Sequence, residues 1–212
     1  MTLISIEGNI GSGKSTILKL LKEKCNESII FIDEPVSEWQ TIKNSSGKNI
    51  LELFYEDKEK YSFTFQILAY ITRLRKVLDV IKSSKDKIII MERSIYTDKF
   101  VFAKMLYDGG FIKEIEWKTY NYWFDTFKES TKLDGILYVN TEPDICFERI
   151  KKRNRNGESN IKLEYLKECH KNHVNWLDNE TISVLRINGN QEFENNNDIE
   201  TEIVSEVNKK FF

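Results

Sequence analysis

Three cysteines in 212 residues, Cys25, Cys146 and Cys169, are too few and too far apart for a disulfide framework, and neither a CxxC nor a paired-histidine spacing accompanies them. Buried free thiols in a reducing compartment are expected, and no zinc site. An excess of basic charge is also missing: 32 Lys and Arg face 34 Asp and Glu, a formal charge of −2, so bulk nucleic-acid binding has nothing to draw on. With 2 prolines and 9 glycines there is no low-complexity linker, and no apolar run approaches the roughly 20 residues a membrane span needs. The strand-like Leu3-Ile4-Ser5-Ile6 leaves no room for a signal or transit peptide, which predicts a cytoplasmic protein.

What is present, 40% hydrophobic and 31% charged residues, is the balance of one globular domain over residues 1–212. Short apolar runs alternate with segments of helical period, the pattern of an α/β fold with a parallel sheet. The strands read as Leu3–Ile6, Ile29–Ile32, Lys87–Met91, Gly135–Val139 and Val184–Ile187. The clearest helix spans about Tyr61 to Ile81, with Ile67, Tyr70, Ile71, Leu74, Val77, Leu78 and Ile81 on one stripe that must pack on the sheet or on a partner. Further helices fit Ser15–Lys24, Thr97–Leu106, Glu114–Lys128, Pro143–Lys152, Lys162–Leu177 and Ile199–Val207, and Asn154–Asn160 and Asn190–Asn197 read as mobile surface loops.

Gly8-Asn9-Ile10-Gly11-Ser12-Gly13-Lys14-Ser15 fits GxxxxGK(S/T) directly after the first strand and directly before a helix. Loop glycines let backbone N–H groups converge on phosphate oxygens, the helix N-terminus adds its positive end, Lys14 reaches the β and γ phosphates, and Ser15 can ligate Mg²⁺. That cradle implies a nucleoside triphosphate site and leaves open a switch GTPase, an ATPase motor or a small-molecule kinase. No aspartate has a glycine three residues later, as a GTPase switch needs, and Thr131-Lys132-Leu133-Asp134 resembles a guanine-reading (N/T)KxD but precedes its strand, so it reads as a turn.

In an open α/β sheet ligands bind outside the carboxyl ends of the strands. The second strand ends in Asp33-Glu34-Pro35-Val36, the third in Glu92-Arg93-Ser94. A carboxylate there can accept the proton of an attacking hydroxyl, and a neighbouring arginine can stabilise a phosphoryl group in transfer.

These residues carry a resemblance. Ile6-Glu7-Gly8-Asn9-Ile10, Glu34-Pro35-Val36 with Trp39, Tyr61-Ser62-Phe63-Thr64-Phe65-Gln66, Glu92-Arg93-Ser94 and the stretch Arg149 to Arg155 ahead of Leu163-Glu164-Tyr165-Leu166 resemble the deoxyribonucleoside kinase family across nearly the whole chain. The likeness is greatest to its deoxycytidine/deoxyguanosine/deoxyadenosine kinase branch. It implies a three-layer P-loop NTPase fold of the nucleoside-kinase type, ATP or another NTP as donor with Mg²⁺, a small-molecule deoxynucleoside as acceptor, and a homodimer through two long helices.

By that resemblance Gly8, Asn9, Ile10, Gly11, Ser12, Gly13, Lys14, Ser15 and Thr16 would hold the donor phosphates, and Arg149, Arg153 and Arg155 would belong to a lid around residues 149–160, while Lys151 and Lys152 read as a solvated helix face. Phe193 would stack on the donor base. Glu34 would be the general base, with Glu92 its rival and otherwise a Mg²⁺ organiser beside Ser15, and Arg93 would bridge the 5′ end and the transferring group. Tyr55 and Glu158 would bind the 3′-OH. Gln66 would read the base edge, Arg73 would pair with Asp98, and Phe65 with Phe102 would sandwich the ring in a slot completed by Ile10, Val36, Trp39, Leu51 and Phe54. The thymidine-preferring branch has apolar or small residues where this chain has Arg73 and Asp98, so deoxycytidine or a deoxypurine is expected. A thymidine-preferring or multisubstrate kinase, or a non-catalytic P-loop subunit, are the alternatives.

Overall fold

The computed structural model describes every residue except 26, 27, 85, 86, 156, 159, 194 and 195. Within it, β1 (Thr2–Gly8), β2 (Ile29–Ile32), β3 (Ile88–Glu92), β4 (Gly135–Asn140) and β5 (Ser183–Asn188) form one all-parallel sheet in the order β2-β3-β1-β4-β5. Side chains alternate across it. Leu3, Ile89, Ile136 and Tyr138 pack in one layer with Tyr70, Leu74, Val77 and Leu177. Ile4, Ile6, Ile90, Leu137 and Val139 pack in the other with Ile17, Leu18, Leu21, Ile203 and Val207. Helices α1 (Lys14–Lys24) and α10 (Asn197–Phe211) thus cover one face, and α4 (Lys58–Ser83) and α9 (Leu163–Asp178) contribute to the other.

The long helix α4 starts earlier than its apolar stripe suggests, because Asp57 caps it by accepting the Lys60 N–H at 3.1 Å. Two helices escaped the periodicity: α2 (Val36–Trp39) and α3 (Ile50–Glu56). The second opens on a capping box. Asn49 Oδ1 accepts the N–H groups of Leu51 and Glu52 at 3.0 and 3.1 Å, and Glu52 accepts the Asn49 N–H at 2.7 Å. The helix expected over Thr97–Leu106 is not one regular helix but α5 (Ile95–Thr97), a π-helical turn Asp98–Ala103 and α6 (Lys104–Asp108). Its wider turn puts Asp98 and Phe102 on the same cleft.

The remaining helices are α7 (Glu114–Phe127), followed by a 3₁₀ turn at Lys128–Thr131, and α8 (Pro143–Arg153). Thr131-Lys132-Leu133-Asp134 is the entry to β4. Asp134 Oδ2 accepts the Leu3 N–H at 2.7 Å, so this carboxylate fastens β1 and reads no base. The loops expected at Asn154–Asn160 and Asn190–Asn197 fall partly on residues 156, 159, 194 and 195, outside the described residues. No helix among those described is long and apolar enough to cross a membrane.

All three cysteines are free, Cys146 and Cys169 buried and Cys25 half-buried. Burial pushes the Cys146 thiol up to about 11 and the Cys169 thiol up to about 12. A soluble aromatic disulfide reagent at pH 8 is therefore expected to modify Cys25 fast and the other two only at the rate of opening or unfolding. Rapid modification of all three in the native protein would contradict this packing.

Candidate functional site

β2, β3 and β1 are neighbours, so their carboxyl ends deliver Glu34, Glu92-Arg93-Ser94 and the glycine-rich loop to one place. There the chain encloses a cleft of about 550 Å³. Nearly all the residues expected at the site line it: Ile10, Gly11, Gly13, Lys14, Ser15 and Thr16 from the loop; Glu34, Val36, Trp39, Leu51 and Tyr55; Phe65, Gln66 and Arg73 from α4; Glu92, Arg93, Asp98 and Phe102; and Arg149, Arg153, Arg155, Glu158 and Phe193. Gly8, Asn9 and Ser12 stand behind the wall. Phe54 is a correction to the expected slot: it does not line the cleft but supports Phe65 from behind, ring centroids 4.9 Å apart.

The loop is held by its own chemistry. Gly11 and Gly13 have φ of +78° and +102°, and a Cβ on them would lie 2.6 Å from the Cys146 carbonyl and 2.9 Å from the Phe193 ring. Asn9 donates to the Leu166 carbonyl at 2.8 Å, and Lys14 Nζ donates to the Asn9 carbonyl at 2.7 Å. Burial first, then the charge of Arg93, lowers the Lys14 ammonium to about 8 against the pull of Glu92 and Glu34. A polyphosphate would restore full charge to it. Phe193 is packed in the α1/α10 layer, presenting only part of its ring to the cleft.

A buried ionic network faces the loop. Glu34 Oε1 is shared by Arg73 Nη2 at 3.0 Å and Arg93 Nε at 3.1 Å. Arg73 also donates from Nε to Asp98 Oδ2 at 2.9 Å and from Nη1 to the Glu92 carbonyl at 2.9 Å. Burial alone would raise the Glu34 carboxyl, but Arg93, Arg73 and Lys14 outweigh it, and its pKa lies below the ordinary 4.5. Asp98 goes the other way, burial raising it despite Arg73. Two buried polar atoms among the described residues have no protein partner and belong to cleft residues: Gln66 Oε1 and Arg93 Nη1. Such groups await a ligand or water.

Ser15 Oγ donates to both Glu92 oxygens, at 2.9 and 3.0 Å. A hydroxyl beside a carboxylate suits Mg²⁺, which keeps its other positions for phosphate oxygens and water. The apolar wall is built from rings, Trp39 edge-on to Phe65 at 5.4 Å and the Arg93 guanidinium 4.8 Å from the centroid of Phe102. At the rim, Arg153 forms a two-pronged pair with Glu158 at 2.7 and 2.8 Å, and Arg155 lies 3.5 Å from the same carboxylate. Arg149 is fastened to the carbonyls of Gly189 and Gln191, at 2.8 and 2.9 Å.

Sequence reasoning missed several lining residues. Tyr165 was part of a motif without a role; it meets Tyr55 edge-on at 6.2 Å, and Lys58 sits 4.1 Å over its ring. Lys152, expected to be solvated only, is exposed but borders the cleft, as does Glu192 beside Phe193. Helical period places Lys152 on the outer face of α8, and only the fold of the following segment shows that this face borders the cleft.

A family model for deoxynucleoside kinase matches residues 4–212. A probable deoxycytidine kinase of Fowlpox virus is 36% identical over 212 residues, which cover 96% of this chain and 86% of that protein. Human deoxycytidine kinase is 38% identical over 199 residues, 84% of this chain and 76% of that protein. The mitochondrial deoxyguanosine kinase of Xenopus laevis is 34% identical over 221 residues, 91% of this chain and 83% of that protein. The chain belongs to the deoxynucleoside kinase family and is a kinase of deoxynucleosides.

Removing Arg73 and Asp98 together avoids stranding either charge in the interior. The Arg73→Met/Asp98→Ala variant deprives Glu34 of one of its two guanidiniums, so its pKa rises. The acid limb of kcat/KM, below pH 4.5 in the wild type if set by Glu34, is expected to move to higher pH. An unmoved limb in a pH–rate profile would show that Arg73 does not hold Glu34 ionised.

Proposed function

We propose that the chain, as one domain over residues 1–212, transfers the γ-phosphoryl group of ATP or another nucleoside triphosphate to the 5′-OH of deoxycytidine or a deoxypurine nucleoside. The observation that carries this reading is the placement of Glu34, a carboxylate held ionised by two guanidiniums at the end of β2, in the same cleft as Lys14. Its Oε1 is occupied by Arg73 and Arg93, which leaves Oε2 for an incoming hydroxyl. The nucleoside oxygen forms its bond to the γ-phosphorus, the bond to the β-bridging oxygen breaks, and the hydroxyl proton passes to Glu34. Held ionised by the two guanidiniums, Glu34 orients the hydroxyl and takes its proton late, as a loose phosphoryl-transfer transition state requires.

Lys14 and the loop N–H groups hold the donor phosphates, Arg93, whose Nη1 has no partner in the protein, serves the transferring group, and Arg153 and Arg155 line the rim. Ser15 and Glu92 would hold Mg²⁺, whose charge offsets that of the phosphate oxygens. Tyr55 and Glu158 bind the 3′-OH, Glu158 sharing its oxygens with Arg153. Gln66 offers its unpartnered Oε1 to the base edge, and the buried Arg73–Asp98 pair occupies the room a 5-methyl would need. Phe65 and Phe102 flank the ring, and Phe193 borders the donor base.

The resemblance and one surface feature support a homodimer: Ile67, Ile71, Leu78, Trp123 and Phe127 of α4 and α7 line an apolar groove of about 310 Å³. Free, unpaired cysteines accord with a cytoplasmic enzyme of nucleotide salvage.

Glu34→Gln keeps shape and hydrogen bonding but loses the proton acceptor, so kcat is expected to fall by about 10²–10⁴ with KM for the nucleoside largely kept. Near-full turnover in Glu34→Gln, with loss in Glu92→Gln, would transfer the role to Glu92. For the base, the ratio of kcat/KM for thymidine to that for deoxycytidine should rise about 10-fold or more in Arg73→Met/Asp98→Ala, the scale of admitting one methyl group. A wild type that already prefers thymidine, or an unchanged ratio, would overturn the assignment of these residues to the base.

A further inference from the structure

β1 places Ser5 and Glu7 on the face from which Leu3 enters the core, where apolar residues would be the ordinary choice. Glu7 is wholly buried, lies outside the lining of the cleft, and has no part in the chemistry above. Its carboxylate gathers three hydroxyls: Ser5 and Ser94 donate to Oε1, the latter at 2.8 Å, and Thr97 donates to Oε2.

Ser94 and Thr97 are also the two halves of the cap of α5. The Thr97 N–H donates to Ser94 Oγ and the Ser94 N–H to Thr97 Oγ1, each at 3.4 Å. A hydroxyl has one proton. Because each gives it to Glu7, each keeps its lone pairs for the other residue's backbone N–H. A group at position 7 that only accepts therefore fixes the polarity of the whole cap, and an amide in its place would turn a donor toward a donor.

The residue immediately before this cap is Arg93, a non-glycine with φ of +64°. Such a conformation persists only where its surroundings over-determine it. The Arg93 N–H donates to the Ile6 carbonyl at 3.0 Å, its guanidinium pairs with Glu34, and the next residue is pinned by Glu7. Glu7 also immediately precedes Gly8, where the phosphate loop begins.

We infer that Glu7 is a positioning residue for phosphoryl transfer: from the end of β1 it clamps Ser94 and Thr97, holds the left-handed turn at Arg93, and so keeps Arg93 on Glu34 and Glu92 beside Ser15. This rests on the roles proposed above for Arg93 and Glu92.

The test is steady-state kinetics of Glu7→Gln, Ser94→Ala/Thr97→Val and the combined triple variant with deoxycytidine and Mg-ATP, with active-site concentration fixed by ligand-binding stoichiometry. The expected result is a kcat lowered about 10–100-fold in Glu7→Gln, with both KM values within about threefold of wild type. The triple variant should lose little more than the worse of its parents, because all three residues act through one clamp. A folded Glu7→Gln with kcat within about twofold of wild type, or losses that multiply in the triple variant, would overturn the inference. Should Glu7→Gln fail to fold, Ser94→Ala/Thr97→Val decides by the same criterion: a fall in kcat at constant KM supports the clamp and an unchanged kcat refutes it. Arg93→Ala separates the levels. If it leaves kcat intact, the role of Arg93 falls and the inference with it; if it abolishes turnover while Glu7→Gln does not lower it, only the inference fails.

Discussion

The site is organised around the buried guanidinium of Arg73. Three elements end on it: β2 through Glu34, β3 through the Glu92 carbonyl, and the π-helical turn through both oxygens of Asp98. Burial would lower the pKa of such a group, but Asp98 and Glu34 more than offset it, so Arg73 stays charged. A planar donor fork with fixed directions can hold three acceptors at once in a way that an ammonium cannot. The consequence is a dependency: α4 carries the arginine, and the positions of the proton acceptor and of the base pocket follow from where α4 lies on the sheet. Loss of one partner strands the others without solvent, which costs about 3–5 kcal/mol for a buried pair. In the proposed assignment, substrate choice and proton transfer would be mechanically joined, and a change aimed at the base would also reach Glu34.

Charge in the interior is nearly matched before any ligand arrives. Lys14, Arg73 and Arg93 stand among Glu34, Glu92 and Asp98, with Glu34 and Asp98 both paired to Arg73 and Glu34 also to Arg93. A triphosphate adds negative charge to this balance, and the cations that answer it lie at the rim. Arg153 and Arg155 share the Glu158 carboxylate, so in the structure their charge is partly answered from within the chain. In the proposed mechanism, phosphate oxygens would compete with Glu158 for them. The carboxylate so released is the group assigned to the 3′-OH, and donor and acceptor thus meet through one ion pair at the cleft's edge. The two arginines reach this half-buried carboxylate from the solvent side, whereas every partner in the Arg73 network is more deeply enclosed or lies on the cleft floor.

Legibility of the site in the sequence followed the range of the interactions. The phosphate loop is a local motif whose strand, glycines, lysine and helix lie within a few consecutive residues, and both acidic strand ends follow from the general rule for open sheets. Gln66 and Arg73 share a helix face by simple periodicity, yet their assignment to a base needed the family resemblance. What could not be read depends on encounters between distant segments: Tyr165 against Tyr55, Glu192 and Lys152 at the rim, and Phe54 placed behind Phe65 instead of beside it. The π-helical turn was invisible for a different reason, since its residues have ordinary helical preferences and only its geometry departs from 3.6 per turn. The capping box at Asn49 and Glu52 was present in the sequence and would have announced α3.

Helix α4 shows how one segment can serve two surfaces. Gln66, Ala69 and Arg73 face the cleft, while Ile67, Ile71 and Leu78 border the apolar groove with Trp123 and Phe127. Tyr70 and Leu74, both buried, form the floor side of that groove, and Tyr70 OH donates to the Trp123 carbonyl at 3.0 Å to tie α4 to α7. A helix whose circumference is mostly apolar or buried is ordinarily found inside a protein, not on its surface. Ile71 nevertheless is 48% exposed in the single chain. A second copy seated on that face would complete the burial and stiffen the helix that carries Arg73. On the proposed reading, the apolar stripe and Arg73 would then serve one end, holding α4 rigidly enough to keep Glu34 in place.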